Sequence, residues 1–152
     1  EPIGYAVSQR VHTGFIMLPP ETATDFTSAL LGGEPDLVPL DLTGGFDIGY
    51  TSLGELVGSE GPTLVANIEA GGGIYHLETR ANLLPGGYLP EDPELYTMWA
   101  PAVPGHWYGV RDHTGKGYAL VFVGFVGEEG CELYVEWNQT GPPVAPEPYN
   151  PP

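Results

Sequence analysis

Glycine and proline set the limits on what this chain can fold into. Twenty-three glycines and seventeen prolines are spread over 152 residues, and the segments between them are short, apolar and aromatic. Proline removes a backbone donor and glycine gives up side-chain packing, so both interrupt long helices and central strands. A chain punctuated in this way is one of many short strands and many turns. Its 41% apolar content supplies a core, which separates it from disordered chains rich in the same two residues. The length suits one β-rich domain over residues 1–141 with a proline-rich tail over 142–152.

Alternating hydrophobicity locates the strands. Within 5–18, Val11, Thr13, Phe15 and Met17 alternate with His12, Gly14, Ile16 and Leu18 until Pro19-Pro20 stops the run. The spacing predicts one short helix near Glu21 to Leu31, capped by Thr22 or Thr24 and ended by Gly32-Gly33. Phe46, Ile48 and Tyr50 alternate with Asp47, Gly49 and Thr51 as a half-buried strand. A strand over 63–69 turns at Gly71-Gly72-Gly73 into another over 74–80, a hairpin. Residues 82–106 form a long connection broken by Pro85, Pro90, Pro93, Pro101 and Pro104, whose aromatic residues predict that it packs down on the sheet.

The last third reads as an antiparallel meander. Strands over 107–111, 118–126 and 131–139 turn at 112–117 and 127–130. The middle strand is apolar on both faces, as a central strand is. The last alternates Cys131, Leu133, Val135 and Trp137 with Glu132, Tyr134, Glu136 and Asn138, one buried face and one wet. The expected fold is all-β: an antiparallel sandwich or strongly curved sheet with at most one short helix.

Charge excludes whole classes of partner. Only Arg10, Arg80, Arg111 and Lys116 oppose twenty acidic residues, a formal charge of −16. There is no basic patch to neutralise a nucleic-acid backbone or an anionic membrane, and no apolar run long enough to span a bilayer. Scarce lysine and arginine also mean few trypsin-type cleavage sites. Together with a start at Glu1, this fits a mature chain outside the cytoplasm whose export signal has been removed. Cys131 is the lone cysteine, so no internal disulfide forms. It reads as a small buried hydrophobe, with a bridge between two chains as the other use.

Sites for chemistry are sparse. His12, His76, His106 and His113 lack metal-binding spacing. No nucleophile elbow occurs, so no catalytic residue is assigned. Asp36, Asp41 and Asp47, or Glu91, Asp92 and Glu94, offer oxygen ligands for calcium, although neither group matches a calcium-loop pattern. Asn138-Gln139-Thr140 is a glycosylation sequon. Tyr88, Tyr96, Trp99, His106 and Trp107 are the candidate ligand-binding residues, as a sugar-stacking platform or hydrophobic pocket. The alternative role for the aromatic residues of this region is as the lid of the core.

The segment Tyr108-Gly-Val-Arg-Asp-His-Thr-Gly-Lys-Gly-Tyr118, followed by an apolar strand and Cys131-Glu-Leu-Tyr-Val-Glu-Trp-Asn-Gln-Thr-Gly141, resembles the closing strands of the HmuY-like bacterial surface haemophore family. Gly45-Phe46-Asp47-Ile48 is similar to another strand of that family. The resemblance covers about a third of the chain and implies an all-β exported protein; the haem-ligating histidines of that family are not placed on particular positions of this sequence.

Three functions are carried forward. The first is an extracellular or cell-surface structural protein that assembles with copies of itself, as filament subunit, surface-layer component or adhesive module. Its tail residues Pro142, Pro143, Val144, Pro146, Pro148, Tyr149, Pro151 and Pro152 are then the subunit contact. The second is a surface protein binding haem or a glycan. The third is a hydrolase using two carboxylates.

Overall fold

The computed structural model describes residues 11–40, 45–58, 73–83 and 88–139. They form two five-stranded antiparallel sheets packed face to face, an all-β sandwich. In chain order the strands are β1 (His12–Leu18), β2 (Thr22–Thr24), β3 (Val38–Pro39), β4 (Ile48–Tyr50), β5 (Glu55–Val57), β6 (Gly73–Leu77), β7 (Trp99–Pro101), β8 (Trp107–Arg111), β9 (Tyr118–Gly127) and β10 (Gly130–Asn138). One sheet runs β1-β10-β9-β8-β6 and the other β3-β2-β4-β5-β7. The expected meander is β8-β9-β10, and β9 lies at the centre of its sheet.

The core fills the space between the sheets. Ile16 and Leu18 from β1, Val121 and Val123 from β9, and Leu133, Val135 and Trp137 from β10 meet Ile48, Tyr50 and Leu56 from the second sheet. Alternation decides which side chains take part, because successive residues of a strand face opposite ways. Thus β1 buries Ile16 and Leu18 while Phe15 and Met17 face solvent. A second cluster lies on the outer side of the larger sheet, where Leu89 and Tyr96 of the long connection cover Leu77, Tyr118 and Leu120. The connection does pack down, over one half of that sheet.

Two local readings change. The helix expected near Glu21 to Leu31 shrinks to a single turn at Thr27–Leu31, and its first half is β2. Thr22 and Thr24 favour extended backbone, and Thr22, Ala23 and Thr24 pair with Tyr50, Gly49 and Ile48 of β4. The strand over 46–51 is shorter than its alternation suggested, and all three residues of β4 are buried rather than one face alone. The strand expected over 63–69, Gly71 and Gly72 of its turn and the tail 142–152 lie outside the described residues, while Gly73 opens β6. Among those described, no helix is long and apolar enough to cross a membrane.

The sheet edges are treated unequally. β3 is two residues long and contains Pro39, while β7 is three residues long and ends at Pro101. The edge of β6 is bridged to the other sheet at Thr97, with hydrogen bonds of 2.6 and 2.8 Å exchanged between Ile74 and Thr97. The edge of β1 is seven residues long and carries no proline, lysine, arginine or carboxylate. Among the described residues, no strand pairs with its outer side.

Candidate functional site

Beyond the lid formed by the long connection, the outer face of the larger sheet is aromatic. Strand register aligns four rings on adjacent strands. Phe15 of β1 lies opposite Tyr134 of β10, Tyr134 opposite Phe122 of β9, and Phe122 opposite Trp107 of β8. Strand spacing of about 4.8 Å makes this a strip roughly 14 Å long. Phe15 and Tyr134 approach to 5.2 Å between ring centres, and Phe122 and Trp107 to 5.0 Å, both pairs tilted. Phe15 is 72% exposed, and Met17 and Phe125 are also exposed.

One ion pair is built into this face. Arg80 donates to both carboxylate oxygens of Glu136, at 3.2 and 3.0 Å, and its guanidinium lies over the Trp107 ring at 4.8 Å. Phe15, Arg80, Trp107, Phe122, Tyr134 and Glu136 together line a shallow, open depression of about 490 Å³. The arrangement offers ring faces for apolar contact beside a fixed bidentate pair, which suits an uncharged ligand better than a charged one.

Two histidine groups lie elsewhere. His113, at the tip of the turn between β8 and β9, meets the buried carboxylate of Asp47: its Nδ1 is 2.6 Å from Oδ1, and its backbone N–H donates to the same oxygen at 2.9 Å. The other oxygen accepts from the backbone N–H of Phe26 at 2.7 Å. Asp47 therefore fastens the β8–β9 turn to the chain around β4. The hydrogen bond to Asp47 raises the His113 pKa. Burial opposes the rise in part, and the charges of Asp47, Asp112 and Asp25 reinforce it.

A raised folded-state value makes the histidine contribution complete below the unfolded value of about 6.5 and lost as pH climbs through the folded value. The Tm advantage of the native chain over His113→Gln is expected to be largest near about pH 5.5 and to shrink by about pH 8.5. Calorimetry across that range checks it, and a difference independent of pH would remove the imidazolium from the account.

The second group joins β6 to the start of β8. His76 Nε2 and His106 Nδ1 stand 2.7 Å apart, one donating its N–H to the other. His76 also stacks on Tyr108, 4.6 Å away and within 9° of parallel. Burial, the nearby His106 and, in the opposite sense, Glu78 leave the His76 pKa below its ordinary value. Two imidazoles on opposite sides of a haem iron hold their nitrogens about 4 Å apart. At 2.7 Å, with ring centres 4.9 Å apart, this pair meets nearly end to end through one hydrogen bond and does not fit that arrangement.

The candidate ligand-binding residues are dispersed. Trp107 joins the aromatic strip, and His106 pairs with His76 across the neighbouring strand. Tyr96 belongs to the lid, its hydroxyl donating to the Pro90 carbonyl at 2.7 Å and its pKa raised by burial. Tyr88 is half-buried, and Trp99 stands exposed on β7 of the other sheet. Tyr108, from the same aromatic region, is fully buried. Phe15, Phe122 and Tyr134 escaped the sequence reading because strand register, which it did not contain, is what aligns them.

Other expectations meet specific surroundings. Asn138 of the sequon is 0% exposed, so its amide is closed to a glycosylating enzyme in the folded chain. Cys131 is buried, and burial first, then the Glu132 charge, push its thiol up to about 12. It is a core side chain and not an accessible link between chains. Of the proposed calcium ligands, Asp41 lies outside the described residues and Asp47 is committed to Phe26 and His113. Asp92 accepts from the Glu94 backbone at 3.0 Å. Among the described residues, no three histidine, cysteine or carboxylate side chains form a metal-sized group. No protein-family model, curated protein or solved structure matches the chain.

Proposed function

We propose that this chain is a structural protein of the cell surface or extracellular space, without catalytic activity, that assembles with copies of itself through the outer edge of β1. The observation that carries this reading is the contrast among the edges. Exposed strand edges invite pairing with another chain, and proteins blunt them with short strands, prolines, charges or cover. The other three edges are blunted in these ways, whereas β1 offers seven residues without proline or charge and, among the described residues, without a strand paired to its outer side. Beside that edge the outer face exposes Phe15, Met17 and Phe125, with Glu132 between the last two.

Lysines at Phe15 and Met17 test it. Both side chains face solvent, so Phe15→Lys/Met17→Lys leaves the core intact while charging the edge. Light scattering is expected to show assemblies for the native chain and monomers for the variant. Equal assembly by both would sink the role of β1.

A second reading, a surface protein that binds a neutral glycan, is favoured by the aromatic strip with its Arg80–Glu136 pair. Sugar rings stack on aromatic faces, and a fixed ion pair hydrogen-bonds to hydroxyl groups. Calorimetric titration with neutral oligosaccharides should give binding that Phe122→Ala or Tyr134→Ala removes, with assembly unchanged in both. No heat with any neutral oligosaccharide would retire this reading and leave the first standing.

A further inference from the structure

We propose that His76 and His106 form a surface site for one divalent transition-metal ion that favours imidazole nitrogen, copper(II) being the strongest binder of that class. The proposal is independent of how subunits associate. It rests first on distance. Two nitrogens bound side by side to one metal, each about 2.0 Å from it and at a right angle, lie about 2.8–2.9 Å apart. The ring nitrogens of this pair stand 2.7 Å apart and the ring centres 4.9 Å, so a metal replaces the shared proton once the two rings turn from pointing at each other to aim both lone pairs at it. The alternative, two imidazoles satisfied by one hydrogen bond, has the same starting geometry, and binding distinguishes them.

The His76 ring and the His106 backbone are held from behind. His76 lies flat against Tyr108, whose hydroxyl donates to the Pro101 carbonyl at 2.5 Å and accepts from the Val103 N–H at 2.9 Å. His106 closes the turn Val103-Pro104-Gly105-His106, with its N–H bonded to the Val103 carbonyl at 3.1 Å. Gly105 takes φ +88° there, as the third position of a turn with proline second requires. The His106 carbonyl accepts from the Val123 N–H at 3.1 Å. This support, outside the ligands themselves, keeps the two imidazoles adjacent.

The site is also open to ions. His76 is exposed and His106 partly so, and water completes the coordination that two protein ligands begin. Glu78, two residues along β6, adds negative charge close enough to act on His76. A net charge of −16 concentrates cations around the whole chain.

The test is titration of the full chain with copper(II), followed by electron paramagnetic resonance. One equivalent is expected to give nitrogen splitting from two imidazoles, and His76→Gln and His106→Gln are each expected to lose that two-nitrogen signal. On the native chain, copper should broaden the NMR resonances of 76 and 106 first, a readout that does not depend on any variant folding. No two-nitrogen signal in the native chain, an unchanged signal in both variants, or broadening centred on acidic loops elsewhere would overturn the proposal.

Discussion

Replacing Asp112 by alanine is expected to remove about 3–5 kcal/mol of unfolding free energy, a large part of the total for a chain of this size. The Asp112 side chain is buried at the neck of the β8–β9 turn. Oδ1 accepts from the Thr114 backbone at 3.1 Å, the Thr114 hydroxyl at 2.5 Å and the Gly117 backbone at 3.2 Å. Oδ2 accepts from the indole N–H of Trp137 at 3.2 Å. Alanine orphans the Gly117 and Trp137 donors, each worth about 1–3 kcal/mol when buried without a partner. Asp112→Asn keeps one acceptor oxygen but presents a donor where the other acceptor served, so its loss should fall between the native chain and the alanine variant. Denaturant unfolding followed by tryptophan fluorescence checks the order, and a loss below about 1 kcal/mol for Asp112→Ala would contradict it.

Arg80→Ala should cost about the same, roughly 3–5 kcal/mol, for a different reason. The Arg80 and Glu136 side chains are only 15% and 7% exposed, so removing the guanidinium strands a carboxylate against the aromatic face. Breaking such a pair costs more than the pair itself contributes, since desolvation offsets most of the attraction between buried charges. The double variant Arg80→Met/Glu136→Leu is therefore expected to lie close to the native chain. If it unfolds as readily as Arg80→Ala, the contact of the guanidinium with the Trp107 ring dominates instead.

The architecture was legible where alternation and turn chemistry agreed. Cys131, Leu133, Val135 and Trp137 announce the inner face of β10 by spacing alone, and the turns at 112–117 and 127–130 fall where glycine and aspartate place them. The short helix was overstated because Thr22–Thr24 pairs with β4, a long-range contact that helical spacing cannot display. Glu136 read as solvated, yet it is buried because Arg80 reaches it from 56 positions away. The aromatic strip and the His76–His106 pair failed to appear for the same reason. Each depends on which strands are neighbours, and the order β1-β10-β9-β8-β6 places the first described strand against the last.

Self-assembly through β1 is tested most directly by the mass of the purified chain in light scattering as salt is raised. Subunits carrying −16 each repel at low ionic strength, and screening weakens that repulsion as the Debye length falls from about 30 Å at 0.01 M to about 8 Å at 0.15 M. The account predicts a mass well above the 16.2 kDa of one chain, growing with salt. A mass of one chain at every ionic strength would contradict it.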